Sequence, residues 1–379
     1  MGESVIAIDF DRLIDRRGTA SEKWDKYAGR DILPMWVADM DFAAAPAILR
    51  ALRQRIDHGV FGYTHVPASL VEAAQAHLMA HYGWAIQPEW LVWLPGLVPA
   101  LNVSCRAVGA SDDVVLTTTP IYPPFLRVPQ EASRALRAVP LIIGDGRWQW
   151  DWPAMERAAP GAKLLLLSHP HNPTGRCWEE DELKALIALA KRHDLIICSD
   201  EIHCDLILAP RRHRPLAAVD PDFAARTITL MSPSKTWNLA GLGCAFAVIP
   251  DRTLRSRFRR EMSHLVPPVG ALAYVATEAA YRDGEFWRQA LLDTLRRNRD
   301  RLTQVFADSR LPLIPPEATY LAWFDARAVH PDNPLPEFER LGVGLSDGRD
   351  FGSPGWLRLN FGCPPALLEE ALRRIMPLL

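Results

Sequence analysis

The chain has little lysine. Six of its 43 basic positions are lysine and 37 are arginine. Arginine keeps its proton in proteins, so chemistry that needs a neutral side-chain amine falls on one of six residues. Long apolar runs are also missing; none approaches the ~20 residues of a membrane-spanning helix. Excess charge of one sign is missing too. The formal net charge is -2 with both signs interspersed, which offers no surface to nucleic acid or to an anionic membrane. The Arg-rich piece Arg252 to Arg260 ends at Glu261 and reads as a solvated helix face. Residues 1–17 are charged and lack the apolar core of a signal peptide, which predicts a cytoplasmic protein. The cysteines, Cys105, Cys177, Cys198, Cys204, Cys244 and Cys363, form no C-x-x-C pair; Cys198 and Cys244 read as small core residues. His169, His171, His193 and His203 lack metal-ligand spacing, so no metal is expected. There is no internal repeat.

What is present centres on Lys235, in Met231-Ser232-Pro233-Ser234-Lys235-Thr236-Trp237-Asn238 after the apolar run Thr227-Ile228-Thr229-Leu230. Lys23 and Lys26 lie in a polar N-terminal stretch, Lys163 precedes a strand, and Lys184 and Lys191 share an amphipathic helix. Only Lys235 follows a buried-strand pattern and is flanked by hydroxyls. That is the setting of a Schiff-base lysine holding pyridoxal phosphate; a surface loop lysine is the competing reading.

Two upstream segments bear on the choice. His169-Pro170-His171-Asn172-Pro173-Thr174-Gly175-Arg176 follows the strand Leu164 to Leu167, and Ser199-Asp200-Glu201-Ile202-His203 follows Leu195 to Cys198. Each puts polar residues at the C-terminal end of a buried strand, where open α/β sheets bind ligands. An aspartate there can pair with a protonated pyridine nitrogen, and an asparagine amide can donate to the ring's phenolate oxygen. Each segment alone fits a turn or a helix cap. Asn, Asp and Lys in this order, each ending its own strand, are hard to explain as three unrelated turns.

Asn172-Pro173-Thr174-Gly175, Ser199 to His203 and Ser232-Pro233-Ser234-Lys235 resemble the signature of fold-type I pyridoxal-phosphate enzymes, the class I/II aminotransferase superfamily. Pro34-Met35-Trp36-Val37-Ala38-Asp39-Met40-Asp41-Phe42 is similar to the N-terminal motif of the cystathionine β-lyase (C–S lyase) branch. So are Phe61-Gly62-Tyr63, Thr119-Pro120-Ile121-Tyr122 and Arg358 to Pro364. The matches run from about residue 32 to 364.

The resemblance implies that Lys235 carries pyridoxal 5'-phosphate, that Asp200, Asn172 and His203 hold its ring, and that Ser232 and Ser234 face its phosphate. Tyr122 would stack on the ring; a core filler is the alternative. Gly96, Leu97 and Val98 open a helix whose free N–H groups suit a phosphate, against the plain reading of a loop–helix junction. The arginine that many aminotransferases carry shortly after the lysine is replaced by Ala240-Gly241-Leu242-Gly243. Tyr63 would compensate from the second subunit of a homodimer. Arg358, between Leu357 and Leu359, would grip a substrate α-carboxylate; a structural salt bridge competes. Trp36 and Ala38 would touch substrate. The leaving-group side, with Trp36, Phe42 and Tyr122 and no second arginine in a matched motif, is expected to be tolerant.

The fold expected is α/β: a mostly parallel seven-stranded-type sheet in a large domain over 46–270, and a small α+β domain from 1–45 and 271–379. Strands are read at Asp112 to Thr117, Ala138 to Ile143, and near Lys163, Leu195, Thr227 and Cys244, with the last antiparallel by resemblance. Helices are read at Glu179 to Arg192, Tyr274 to Tyr281, Trp287 to Phe306 and Pro365 to Leu379. The function expected is a carbon–sulfur β-lyase acting on cystathionine or cysteine S-conjugates. An aminotransferase is the alternative, and a non-catalytic regulator retaining the fold comes third.

Overall fold

The computed structural model describes residues 8–263 and 265–379. The first seven residues of the expected small domain, and of the segment read against a signal peptide, lie outside them. A seven-stranded sheet runs in the order Leu91–Leu94, Ala245–Val248, Thr227–Met231, Ile196–Asp200, Ala162–Ser168, Val114–Thr119, Ala135–Pro140. Ala245–Val248 pairs antiparallel with both of its neighbours, and the pairs from Thr227–Met231 to Ala135–Pro140 are parallel.

The continuous apolar runs follow from burial on two faces. Leu164, Leu166, Cys198, Ile228 and Leu230 pack with the helices Leu97–Ala107 and Arg252–Met262. Leu165, Leu167 and Ile197 point the other way, onto Trp152–Ala158 and Glu180–Arg192. The latter starts on a capping box between Glu179 and Glu182 and ends on Lys191 and Arg192, in keeping with the helix dipole.

A second sheet orders Leu321–Asp325, Trp356–Asn360 and Ser346–Asp347. The N-terminal arm makes a separate two-residue parallel pairing, Leu33 with Val343 and Pro34 with Gly344, and meets the second sheet where Asn360 N donates to the Met35 carbonyl at 2.9 Å. Met35, Met40 and Phe42 of the arm share a core with Tyr320, Leu357, Leu359 and Phe361.

Three expectations need correction. The strand expected over Ala138 to Ile143 is two elements: Ala135–Pro140 in the large sheet, and Ile142–Gly144 in a hairpin with Arg147–Gln149. Pro140 has no N–H to continue a ladder. The last helix stops at Ile375, and a 3₁₀ turn carries on over Met376–Leu378, because Pro377 has no N–H to continue the helical hydrogen bonds. Lys23 is not a bland surface residue. It is fully buried, with Nζ 2.7 Å from Asp41 Oδ2 and donating to the Asp39 carbonyl at 3.2 Å. Arg16 bridges Asp39 and Asp41, each at 2.7 Å, and Trp24 Nε1 donates to Asp41 Oδ1 at 2.8 Å.

Among the described residues no helix is long and apolar enough to cross a membrane.

Breaking a buried ion pair by deleting one partner leaves a charge uncompensated, at about 3–5 kcal/mol. Lys23→Met is therefore expected to lose about 3–5 kcal/mol in urea unfolding of the cofactor-free protein. A loss under about 1 kcal/mol would mean that the pair does not hold the arm.

Candidate active site

The C-terminal ends of the parallel strands open onto one cavity of about 650 Å³. Trp36, Ala38, Gly96, Leu97, Val98, Tyr122, Asn172, Asp200, His203, Ser232, Ser234, Lys235 and Arg358 all line it. These residues come from seven stretches of chain. Their convergence follows from parallel strands ending on one side, together with the arm laid across that side. Tyr63 lies elsewhere, with its side chain projecting wholly into solvent at 104% exposure. Phe42, expected beside the leaving group, is instead in the core against Phe10, ring centroids 4.9 Å apart.

Lys235 follows the strand Thr227–Met231 and donates from Nζ to the Ala38 carbonyl at 2.6 Å. Burial, and after it the positive Arg358 guanidinium, bring its pKa down to about 8. Asp200 ends the neighbouring strand. Its Oδ1 accepts from the Ile202 N–H at 3.1 Å, its only hydrogen bond among the described residues. Burial pushes the carboxyl up to about 7 despite that N–H and the Lys235 charge. His203 is buried, its Nδ1 has no hydrogen-bond partner, and burial holds its pKa down at about 3.

Arg358 is buried, and no carboxylate forms an ion pair with it among the described residues. Its Nη1 donates to Asn172 Oδ1 at 2.9 Å; its Nη2 donates to the Trp36 carbonyl at 2.9 Å and to Ser346 Oγ at 3.2 Å. Nε has no partner. Burial brings its pKa down to about 10. The salt-bridge alternative therefore has no acid to rest on.

Three residues that sequence reasoning missed hold the arm in place. Tyr320 donates to the Ala38 carbonyl at 2.9 Å. Asn360 Nδ2 donates to the carbonyls of Val37 and Asp39, each at 2.6 Å. Asn238 Nδ2 donates to those of Met40 and Phe42, each at 2.8 Å, while its Oδ1 accepts from Met40 N. Arg349, a second arginine outside the matched motifs and also missed, lines the cavity mouth with Lys26, Glu22 and Asp350. Asn238 and Asn360 sit inside the motifs around Lys235 and Arg358, a signal that was available.

These groups fit pyridoxal phosphate. The amine is depressed toward its nucleophilic form, a buried carboxylate oxygen without a cation faces the same space, and the N-terminus of Leu97–Ala107 opens there. Gly243 has φ +62, and a Cβ there would come within 3.1 Å of the Pro95 carbonyl. That close approach seats the Pro95-Gly96 loop against the segment after Lys235.

The family of class I and II aminotransferases matches residues 30–375. The chain belongs to that family. Cystathionine beta-lyase PatB of Bacillus subtilis (strain 168) is 36% identical over 97% of this chain and 99% of that protein. The crystal structure of OvoB superposes with a TM-score of 0.96 at 48% identity, covering 98% of this chain and 99% of the other. The pyridoxal-phosphate-bound C–S lyase of Staphylococcus hominis gives a TM-score of 0.92 at 32% identity over 100% of both chains.

A depressed lysine is charged, and inert toward aldehydes, below its pKa. Trapping of added pyridoxal 5'-phosphate with borohydride is expected to label Lys235 alone, at an initial rate that climbs with pH and levels off near 8. Labelling of Lys163, or a rate still climbing toward the unperturbed lysine range of about 10.4, would contradict this.

Proposed function

We propose that the protein is a pyridoxal-phosphate-dependent carbon–sulfur β-lyase. It cleaves the Cβ–S bond of an S-substituted cysteine and, with water, yields a thiol, pyruvate and ammonia. The observation that carries the reading is the pairing of a buried, acid-free arginine with a depressed lysine in one cavity, in a chain that aligns end to end with C–S lyases.

When bound, the cofactor supplies an electron sink for the α-carbon. The chain's residues do the rest. Lys235 would hold the cofactor, and its Nζ would take the α-proton. The Ala38 carbonyl, 2.6 Å away, gives the freed amine a seat. Asp200 keeps the ring nitrogen protonated, and that positive partner returns its carboxyl to the ionised state. Arg358 grips the α-carboxylate through its fork, with Asn172 beside it, and so orients the Cα–H bond. Tyr122 would stack on the ring, and His203 would help to hold it. Gly96, Leu97, Val98 and Ser234 would serve the phosphate, whereas the Ser232 hydroxyl, expected there too, donates to the Cys244 carbonyl at 2.6 Å.

The aminotransferase reading uses the same residues, and the family match keeps it in view. The two differ in the need for an oxo acid. Cystathionine supplied alone is expected to give continuous pyruvate and thiol, while a burst that stops after one equivalent would favour the aminotransferase. Asp200→Asn should cut turnover at least ~100-fold with the fold intact, because the electrostatic support of developing negative charge is lost. Near-normal turnover would remove Asp200 from the mechanism.

We also propose a homodimer with shared sites, built on residues 46–270 as the cofactor-binding domain and on 1–45 with 271–379 as the smaller one. No arginine lines the cavity beside Gly243, so the phosphate lacks a cation on that side. Val60, Phe61 and Tyr63 stand exposed on one segment, ready to be covered by a second copy. Sedimentation is expected to show a dimer, and Tyr63→Phe should weaken phosphate-dependent cofactor retention about 10-fold, the scale of one hydrogen bond to a charged group. An active monomer, or unaltered retention, would refute this.

A further inference from the structure

Two arginines line the cavity, Arg358 and Arg349, and only Arg358 is used above. Arg349 sits at the mouth, in the 3₁₀ turn Gly348–Phe351. The turn is fixed from several sides. Asp347 Oδ1 accepts from Arg349 N at 2.9 Å, and the Phe351 carbonyl accepts from Ile121 N at 3.1 Å. The Arg358 guanidinium lies over the Phe351 ring, 4.8 Å from its centroid. A Cβ at Gly348 would come within 2.3 Å of the Trp356 carbonyl, so only glycine closes this turn.

The Arg349 side chain is oriented too. Asp347 Oδ2 accepts from Nε at 2.9 Å and from Nη2 at 2.6 Å. Nη1 forms only a long ion pair, 3.9 Å from Asp332 Oδ2, and makes no hydrogen bond among the described residues, so it is the arm of a preset fork that a closer carboxylate could take. The turn also sets the reach. Ser346 pairs directly with Arg358, and Arg349 lies three residues on, so its Cα is at most roughly 11 Å from that of Ser346. Two carboxyl carbons joined through a thioether by seven single bonds span about 9 Å. Glu22 and Asp350 line the same mouth.

We propose that Arg349 determines leaving-group specificity by binding a carboxylate on the far side of the sulfur. Glu22 and Asp350 face the accompanying ammonium. The preferred substrates are then thioethers that join cysteine to a second amino acid, and the mouth is selective where the sequence suggested tolerance. This rests on the lyase reading for the fate of the sulfur, but not for binding.

The test compares cystathionine with S-methylcysteine on the holoenzyme and on Arg349→Gln. Affinity is read from the change in cofactor absorbance on titration, and kcat/KM from pyruvate. Wild type is expected to prefer cystathionine on both readouts. Arg349→Gln should lower that preference ratio at least ~10-fold, through Kd and KM rather than kcat, the scale of a charge-assisted hydrogen bond. An unchanged ratio, or a wild-type preference for S-methylcysteine, overturns the proposal. Arg349-dependent binding of cystathionine without pyruvate would sustain the proposal and overturn the lyase reading instead.

Discussion

The arrangement depends on a buried guanidinium that has no acid. Arg358 lies between the arm, the Asn172 loop and the strand Ser346–Asp347, and it meets only neutral oxygens there. Taking a cation out of water costs several kcal/mol, and neutral acceptors offset that only partly. Its unpartnered Nε and lowered pKa are the signs of that deficit. A ligand carboxylate removes the deficit, so the fold keeps a cation in wait for its anion. The same charge, placed near Lys235, helps to lower the amine's pKa.

The arm carries the second half of the site through its backbone. From Trp36 to Phe42 it lies outside any regular sheet, and its buried carbonyls still need donors. Side chains supply them: Arg358 at Trp36, Asn360 at Val37 and Asp39, Tyr320 and Lys235 at Ala38, Asn238 at Met40 and Phe42. Beneath these, Lys23 and Arg16 clamp Asp39 and Asp41. The seat of the catalytic amine is thus a main-chain oxygen whose position is set by residues far apart in sequence.

This division explains what was legible. Asn172, Asp200 and Lys235 each close a strand whose residues are apolar on both faces, and that local pattern marks both the sheet and its ligand end. The antiparallel strand after Cys244 came from resemblance, and the structure bears it out. Lys23 was misread because its burial comes from partners 16 and 18 residues on, invisible to local polarity. Tyr320 was missed because donors to backbone carbonyls leave no periodic pattern. Arg349 was missed because its short 3₁₀ turn takes its place from the pairing of Ser346 with Arg358, a tertiary fact. Phe42 went to the core because it packs edge-on against Phe10, a contact 32 residues away that no local pattern shows.

The most direct test of an anion-awaiting Arg358 compares an S-substituted L-cysteine with its carboxamide, which keeps size and amine but has no negative charge. Titrated against the holoenzyme by cofactor absorbance, the acid should bind at least ~30-fold more tightly, the scale of hydrogen bonds to a buried charge. Arg358→Lys should shrink that gap, because an ammonium lacks the fork. Equal affinities for acid and amide in the wild type would contradict the account.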